Sequence, residues 1–124
     1  AAGRVPGNVR VLSVVQAAPR GFPRVGVLFH AGGYYCLQGG VVNLDNYEAA
    51  TPYFPLVYRA DPWRAHPGRL LGEPDVQMVR RLREGIDYLV IWGDAVRGEL
   101  AGEASHYEEV YSESPLHIWR RRGP

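Results

Sequence analysis

The sequence predicts an α/β fold: a single three-layer domain whose mostly parallel sheet ends in a C-terminal antiparallel hairpin. Three observations predict it. Residues 88–92, Tyr-Leu-Val-Ile-Trp, form an unbroken apolar run with no polar face to present to water. Such a run fits a strand covered on both sides, which implies a parallel or mixed sheet with helices packed above and below. Residues 9–15, Val-Arg-Val-Leu-Ser-Val-Val, make a second strand-forming run, and residues 106–113 and 116–121 flank Ser114-Pro115 in the pattern of a hairpin.

Taken in order, residues 1–8 are small and contain Gly and Pro, a lead-in or linker to a single domain over 9–122. The first strand, 9–15, is followed by Ala-Ala-Pro-Arg-Gly, a loop without the glycine pattern of a phosphate cradle. Leu28, Phe29, Ala31, Tyr35 and Leu37 suit a helix over 27–37 that ends at the pair Gly39-Gly40. Residues 41–44 read as a short second strand. Residues 56–59 read as a third, at an edge because Pro55 cannot donate a ladder hydrogen bond. Residues 60–74 hold three prolines and two glycines and read as an irregular loop.

Asp75 then caps a short helix whose apolar stripe is Val76, Val79 and Leu82. Gly85 stops that helix and feeds the central strand, 86–92, which Gly93-Asp94 closes as a turn. Strands 9–15 and 86–92 are expected to be parallel neighbours, with 41–44 beside the first. Leu89 and Ile91 are expected on one face and Tyr88, Val90 and Trp92 on the other. Val96 and Leu100 suit a short helix or a turn. In the hairpin, alternation puts Tyr107, Glu109 and Tyr111 on one face and Glu108, Val110 and Ser112 on the other. The closing Arg120-Arg121-Arg122 reads as an exposed, frayed tail, with contact to anionic lipid headgroups as the alternative.

Composition narrows the function classes. A chain of 124 residues buries roughly two-thirds of its unfolded surface, enough for one core. A net charge of +1 gives no reason to expect a nucleic acid partner. All 14 basic residues are Arg, whose fork suits phosphate and carboxylate. They are scattered along the chain, and Ala, Gly and Pro are also plentiful, so a compositional bias accounts for them. The single Cys36 excludes an internal disulfide and a Cys-based zinc site. The apolar runs fall short of the roughly 20 residues of a membrane span, so the chain is expected to be soluble by itself.

No pair among His30, His66, His106 and His117 has helix-face metal spacing, and neither a metal site nor a cofactor is expected. No serine sits on a Gly-flanked elbow, and no nucleotide-binding glycine motif is present. The densest polar stretch is Asn43-Leu-Asp45-Asn46-Tyr-Glu48, just beyond a predicted strand, where open α/β sheets place ligands. There Asp45 and Glu48 can coordinate a hard cation or act as acid and base. Alternatively, Asn43, Asp45 and Asn46 form a turn and cap a helical turn near Tyr47. Tyr47, Tyr53 and Phe54 must bury their rings in the core, a ligand or a partner, with Tyr53 the expected exposed edge. Asp94 ends the central strand at the same side of the sheet and is either a cap or a binding group.

Several segments carry a resemblance: Arg10-Val-Leu-Ser-Val-Val, Leu28-Phe-His-Ala-Gly-Gly-Tyr-Tyr-Cys-Leu-Gln-Gly-Gly, Val42-Asn-Leu-Asp-Asn-Tyr-Glu-Ala-Ala-Thr-Pro-Tyr-Phe-Pro-Leu, Asp87-Tyr-Leu-Val-Ile-Trp-Gly and Leu116-His-Ile-Trp-Arg-Arg. In this order they resemble the soluble C-terminal domain of bacterial multi-spanning membrane proteins similar to lipid-linked-sugar glycosyltransferases of the dolichol-phosphate-mannose type. The resemblance implies an extracytoplasmic domain tethered through its N-terminus, not catalytic by itself, since the family's catalytic acid lies in the membrane portion. Its implied partners are the membrane portion of the same polypeptide and a glycan. The rival expectation is a small stand-alone enzyme or ligand-binding protein using residues 43–54 and Asp94.

Overall fold

The central strand forms where the sequence is most uniformly apolar. The structure, a computed structural model, describes residues 2–16, 35, 37, 39–44 and 75–123. Within them the sheet has five strands: β1 (Arg10–Val15), β2 (Val42–Asn43), β3 (Tyr88–Trp92), β4 (Tyr107–Glu113) and β5 (Leu116–Arg121). Their order is β2-β1-β3-β5-β4. β1 lies parallel to β2 on one side and to β3 on the other, in register from Val11 opposite Tyr88 to Val15 opposite Trp92. β5 is antiparallel to β3 and to β4. The sheet is therefore parallel at one end and antiparallel at the other. The predicted neighbours β1 and β3 are found as expected, as is β2 beside β1.

Alternation along β3 divides the core as the sequence predicts. Leu89 and Ile91 join Leu12 and Val14 on one face, against Met78, Val79 and Leu82 of helix α1 (Asp75–Leu82) and Leu100 of helix α2 (Gly98–Ala104). Tyr88, Val90 and Trp92 join Val11, Leu116 and Ile118 on the other face, against Val5, Tyr35 and Val41. Only Trp92 is less than fully buried among the five residues of β3. The α1 stripe differs from the expected one at its start: Met78 is buried with Val79 and Leu82, and Val76 is half-buried. A 3-10 turn, Arg83–Gly85, links α1 to the strand. Helix α2 settles the open choice around Leu100.

Two expectations are corrected. Val110 is an extra residue in β4: Glu109 pairs with Trp119 and Tyr111 with Ile118, so the ladder shifts between them. This bulge breaks the strict alternation and carries Tyr111 to the face opposite Tyr107, where it packs with Val110 on the second cluster. Nor is the arginine tail frayed. Arg121 N donates to Asp87 O at 2.9 Å and Arg122 N to His106 O at 3.2 Å, which holds the chain in place through Arg122.

The lead-in contributes a 3-10 turn, Ala2–Arg4, and the buried Val5. Gly39 and Gly40 both take left-handed φ angles, +77° and +73°, as a helix-ending pair would. Leu37, assigned to the apolar stripe of the helix 27–37, is instead 80% exposed in a turn, whereas Tyr35 is helical and buried. The rest of that helix, the strand over 56–59 and the loops over 45–55 and 60–74 lie outside the described residues.

Candidate functional site

Parallel strands whose order reverses leave a crevice beyond their carboxyl ends. Here the chain places β2 on one side of β1 and β3 on the other, so the switch point lies at the carboxyl ends, Val15 and Trp92. Gln16 stitches it: its backbone N–H donates to Trp92 O at 2.9 Å, and its side-chain amide both accepts from Arg97 N at 3.1 Å and donates to Arg97 O at 2.7 Å. Asp94 stands exposed at this edge and accepts from Ser114 Oγ at 3.3 Å. Asn43 lies in β2 opposite Val11, four residues before Val15. That is roughly 13 Å along the strand from the level of Asp94. The sheet does not bring Asn43 and Asp94 together. Asp45, Asn46, Glu48 and Tyr53 lie outside the described residues.

The charged groups inside the fold act as joints. Asp87, at the entry to β3, accepts from Arg10 N at 2.8 Å, Arg10 Nε at 2.9 Å and Arg10 Nη2 at 2.8 Å. This fork ties the start of β1 to the start of β3 and holds the Asp87 carboxyl below its ordinary range. Glu103 of α2 is buried and accepts from Arg80 Nε at 2.7 Å and Arg83 Nη2 at 2.5 Å, clamping α2 to α1 and to the turn after it. Those hydrogen bonds, the one from Arg80 first, also lower its pKa.

A carboxyl held low in the folded state adds stability above its unfolded pKa and loses it as pH falls toward the folded value. With ordinary values of 3.8 for Asp87 and 4.5 for Glu103, the urea midpoint is expected to hold steady down to about pH 5 and fall below it. The double variant Asp87→Asn/Glu103→Gln is expected to start less stable and fall less steeply over the same range. Equal acid slopes would contradict the assignment.

One constellation resembles a nucleophile with its base. The β4 bulge puts Glu109 and Ser112 on the face of His117, whose Nδ1 lies 2.9 Å from Glu109 Oε1 and 3.0 Å from Ser112 Oγ. A Ser-His-carboxylate relay needs the two partners on opposite ring nitrogens. Here both crowd one nitrogen, and Nε2 is buried without a partner. The group braces the β4–β5 edge and has no relay geometry.

A further polar feature among the described residues is a cleft of about 350 Å³ at the opposite end of the sheet, lined by Arg83, Ser105, His106, Tyr107, Arg121 and Arg122 together with Glu84 and Gly123. The strand end at Arg121, the end of α2 and the turn after α1 converge there. Arg121 Nη1 donates to Glu84 O at 2.5 Å, and Arg122 Nε donates to Tyr107 O at 3.0 Å. Tyr107 is 1% exposed, its hydroxyl has no partner, and burial pushes its phenol up to about 12. Sequence reasoning treated Arg83 as one of many scattered arginines and Arg121 and Arg122 as part of a tail. The hairpin return that makes β5 follow β4 is what gathers them, and the backbone pairing of Arg121 and Arg122 is a long-range consequence of it.

Among the described residues no group of three or more His, Cys, Asp and Glu side chains is placed to hold a metal ion. No described helix is long and apolar enough to cross a membrane. No family model, curated protein or solved structure matches the chain.

Proposed function

We propose that this chain is a non-catalytic accessory domain of a bacterial membrane protein of the glycosyltransferase-like kind, held on the extracytoplasmic face and contacting a glycan or a protein partner. The observation that carries the reading is the use of the acidic groups: Asp87 is engaged by Arg10, Glu103 by Arg80 and Arg83, and Glu108 by Arg120. These three carboxylates are taken up by arginines that hold the fold together. The resemblance of the β1, β3 and β5 segments to tethered C-terminal domains supports the membrane assignment. A three-layer arrangement fits the same reading. α1 and α2 cover one face, and the packing of Val5, Tyr35 and Val41 on the other supports a further layer there.

The contact surface in this reading is the 43–54 segment, with Asp94 a separate candidate at the end of β3. A broad screen for hydrolase, transferase and nucleotide-dependent activity is expected to find no turnover by the isolated chain. On a glycan array, Tyr53→Ala is expected to reduce binding without loss of folding. Turnover abolished by Asp45→Asn or Glu48→Gln would replace this reading with that of a stand-alone enzyme using the same segment.

A further inference from the structure

The arginine-lined cleft has more hydrogen-bond donors than the protein itself satisfies. Arg122 is exposed, and its one side-chain bond uses Nε, which leaves the two terminal amino groups of the guanidinium fork unbonded. The charge balance points the same way. Arg83 is matched by Glu103, Arg121 lies 3.9 Å from Asp87, and Glu108 is taken by Arg120 at 2.6 Å. Of the side chains lining the cleft, Glu84 is the one carboxylate, and it receives Arg121 on its backbone oxygen. Arg122 therefore brings a cation that no carboxylate pairs directly.

We propose that this cleft binds a phosphate group, with the Arg122 fork as its principal contact and His106 beside it. A planar carboxylate meets the Arg122 fork with both oxygens in the plane of the fork. A phosphate presents at least three acceptor oxygens and uses the fork and further donors together. Fixed geometry favours this role for Arg122: its backbone N–H is bonded to His106 O and its Nε to Tyr107 O, so the fork is held in one orientation before any ligand arrives. The phosphate can belong to a soluble phosphorylated compound or to a lipid headgroup. The inference goes beyond the accessory-domain reading and does not depend on it.

The test titrates inorganic phosphate into isotope-labelled protein at ionic strength held constant with chloride. The amide resonances of His106, Tyr107, Arg122 and Gly123 are expected to shift saturably. Arg122→Gln, an exposed change, is expected to keep a dispersed spectrum and to weaken binding about tenfold or more. Sedimentation with phosphatidylcholine vesicles, with and without phosphatidic acid, then separates the two sources. Retention only on the phosphatidic acid vesicles, lost in Arg122→Gln, assigns a lipid headgroup, and a saturable titration without retention assigns a soluble phosphate compound. Absence of both responses, or binding that Arg122→Gln leaves unchanged, would overturn the proposal. An enzyme-activity screen can succeed or fail without altering either outcome.

Discussion

Replacing Ile91 with alanine is expected to lower the unfolding free energy by about 2–5 kcal/mol, the range for removing a branched side chain from a packed core. Ile91 is 0% exposed and belongs to the cluster that α1 and α2 close. It is bordered by Val14 on β1 and His117 on β5, so it sits at the centre of the sheet, where backbone cannot easily collapse into the space left behind. Denaturant unfolding should show a lower midpoint with an unchanged slope. A loss below about 0.5 kcal/mol, the scale of a surface substitution, would contradict the central position of β3.

Asp87→Ala is expected to cost about 2–3 kcal/mol. The change removes three hydrogen bonds at once and leaves the Arg10 guanidinium and the Arg10 backbone N–H facing a partly buried space. Because the bonds join β1 and β3 at their first residues, the expected signature is local as well. Amide exchange should rise at Val11 and Tyr88 before it rises at Val14 and Ile91. Asp87→Asn, which retains acceptor oxygen without charge, should fall between wild type and alanine. Uniform exchange along the two strands would mean the fork does not fasten this end of the sheet.

Much of the fold was legible because the information was local. The run from Tyr88 to Trp92 announces a strand covered on both faces, the run through Val11 to Val15 announces a second strand, and the two pair in parallel as expected. The hairpin was legible from turn chemistry at Ser114-Pro115. The bulge was not, since Val110 looks like any other residue of an alternating strand and only the register against Ile118 and Trp119 identifies it as extra. Helix α2 was obscured by Gly98 and Gly102, which lower local helix preference and are outweighed by the packing of Leu100 and Ala104 and by the Glu103 clamp.

The sites divide in the same way. Asp94 was legible as a strand-end residue, and it does stand at the carboxyl edge of β3. The roles of Glu103 and Asp87 were not legible. A carboxylate gives no local sign of the distant arginine that will hold it. The cleft is the clearest case: Arg83 and the pair Arg121 and Arg122 belong to opposite ends of the second half of the chain, and only the closing of β5 against β3 makes them neighbours.

Arg10, Arg80 and Arg83 hold the fold while the Arg122 fork is open to a ligand, and a paired comparison of Glu103→Gln with Arg122→Gln tests that division most directly. Each variant is melted and titrated with inorganic phosphate under the same conditions. Glu103→Gln is expected to melt well below wild type, because it loosens the joint of Arg80 and Arg83 with α2. Arg122→Gln is expected to melt within about 2 °C of wild type, the scale of a neutral surface change, and to lose phosphate binding about tenfold. The contrary result, a large drop in melting temperature for Arg122→Gln with phosphate binding intact, would make Arg122 a structural joint like the others and remove the distinction.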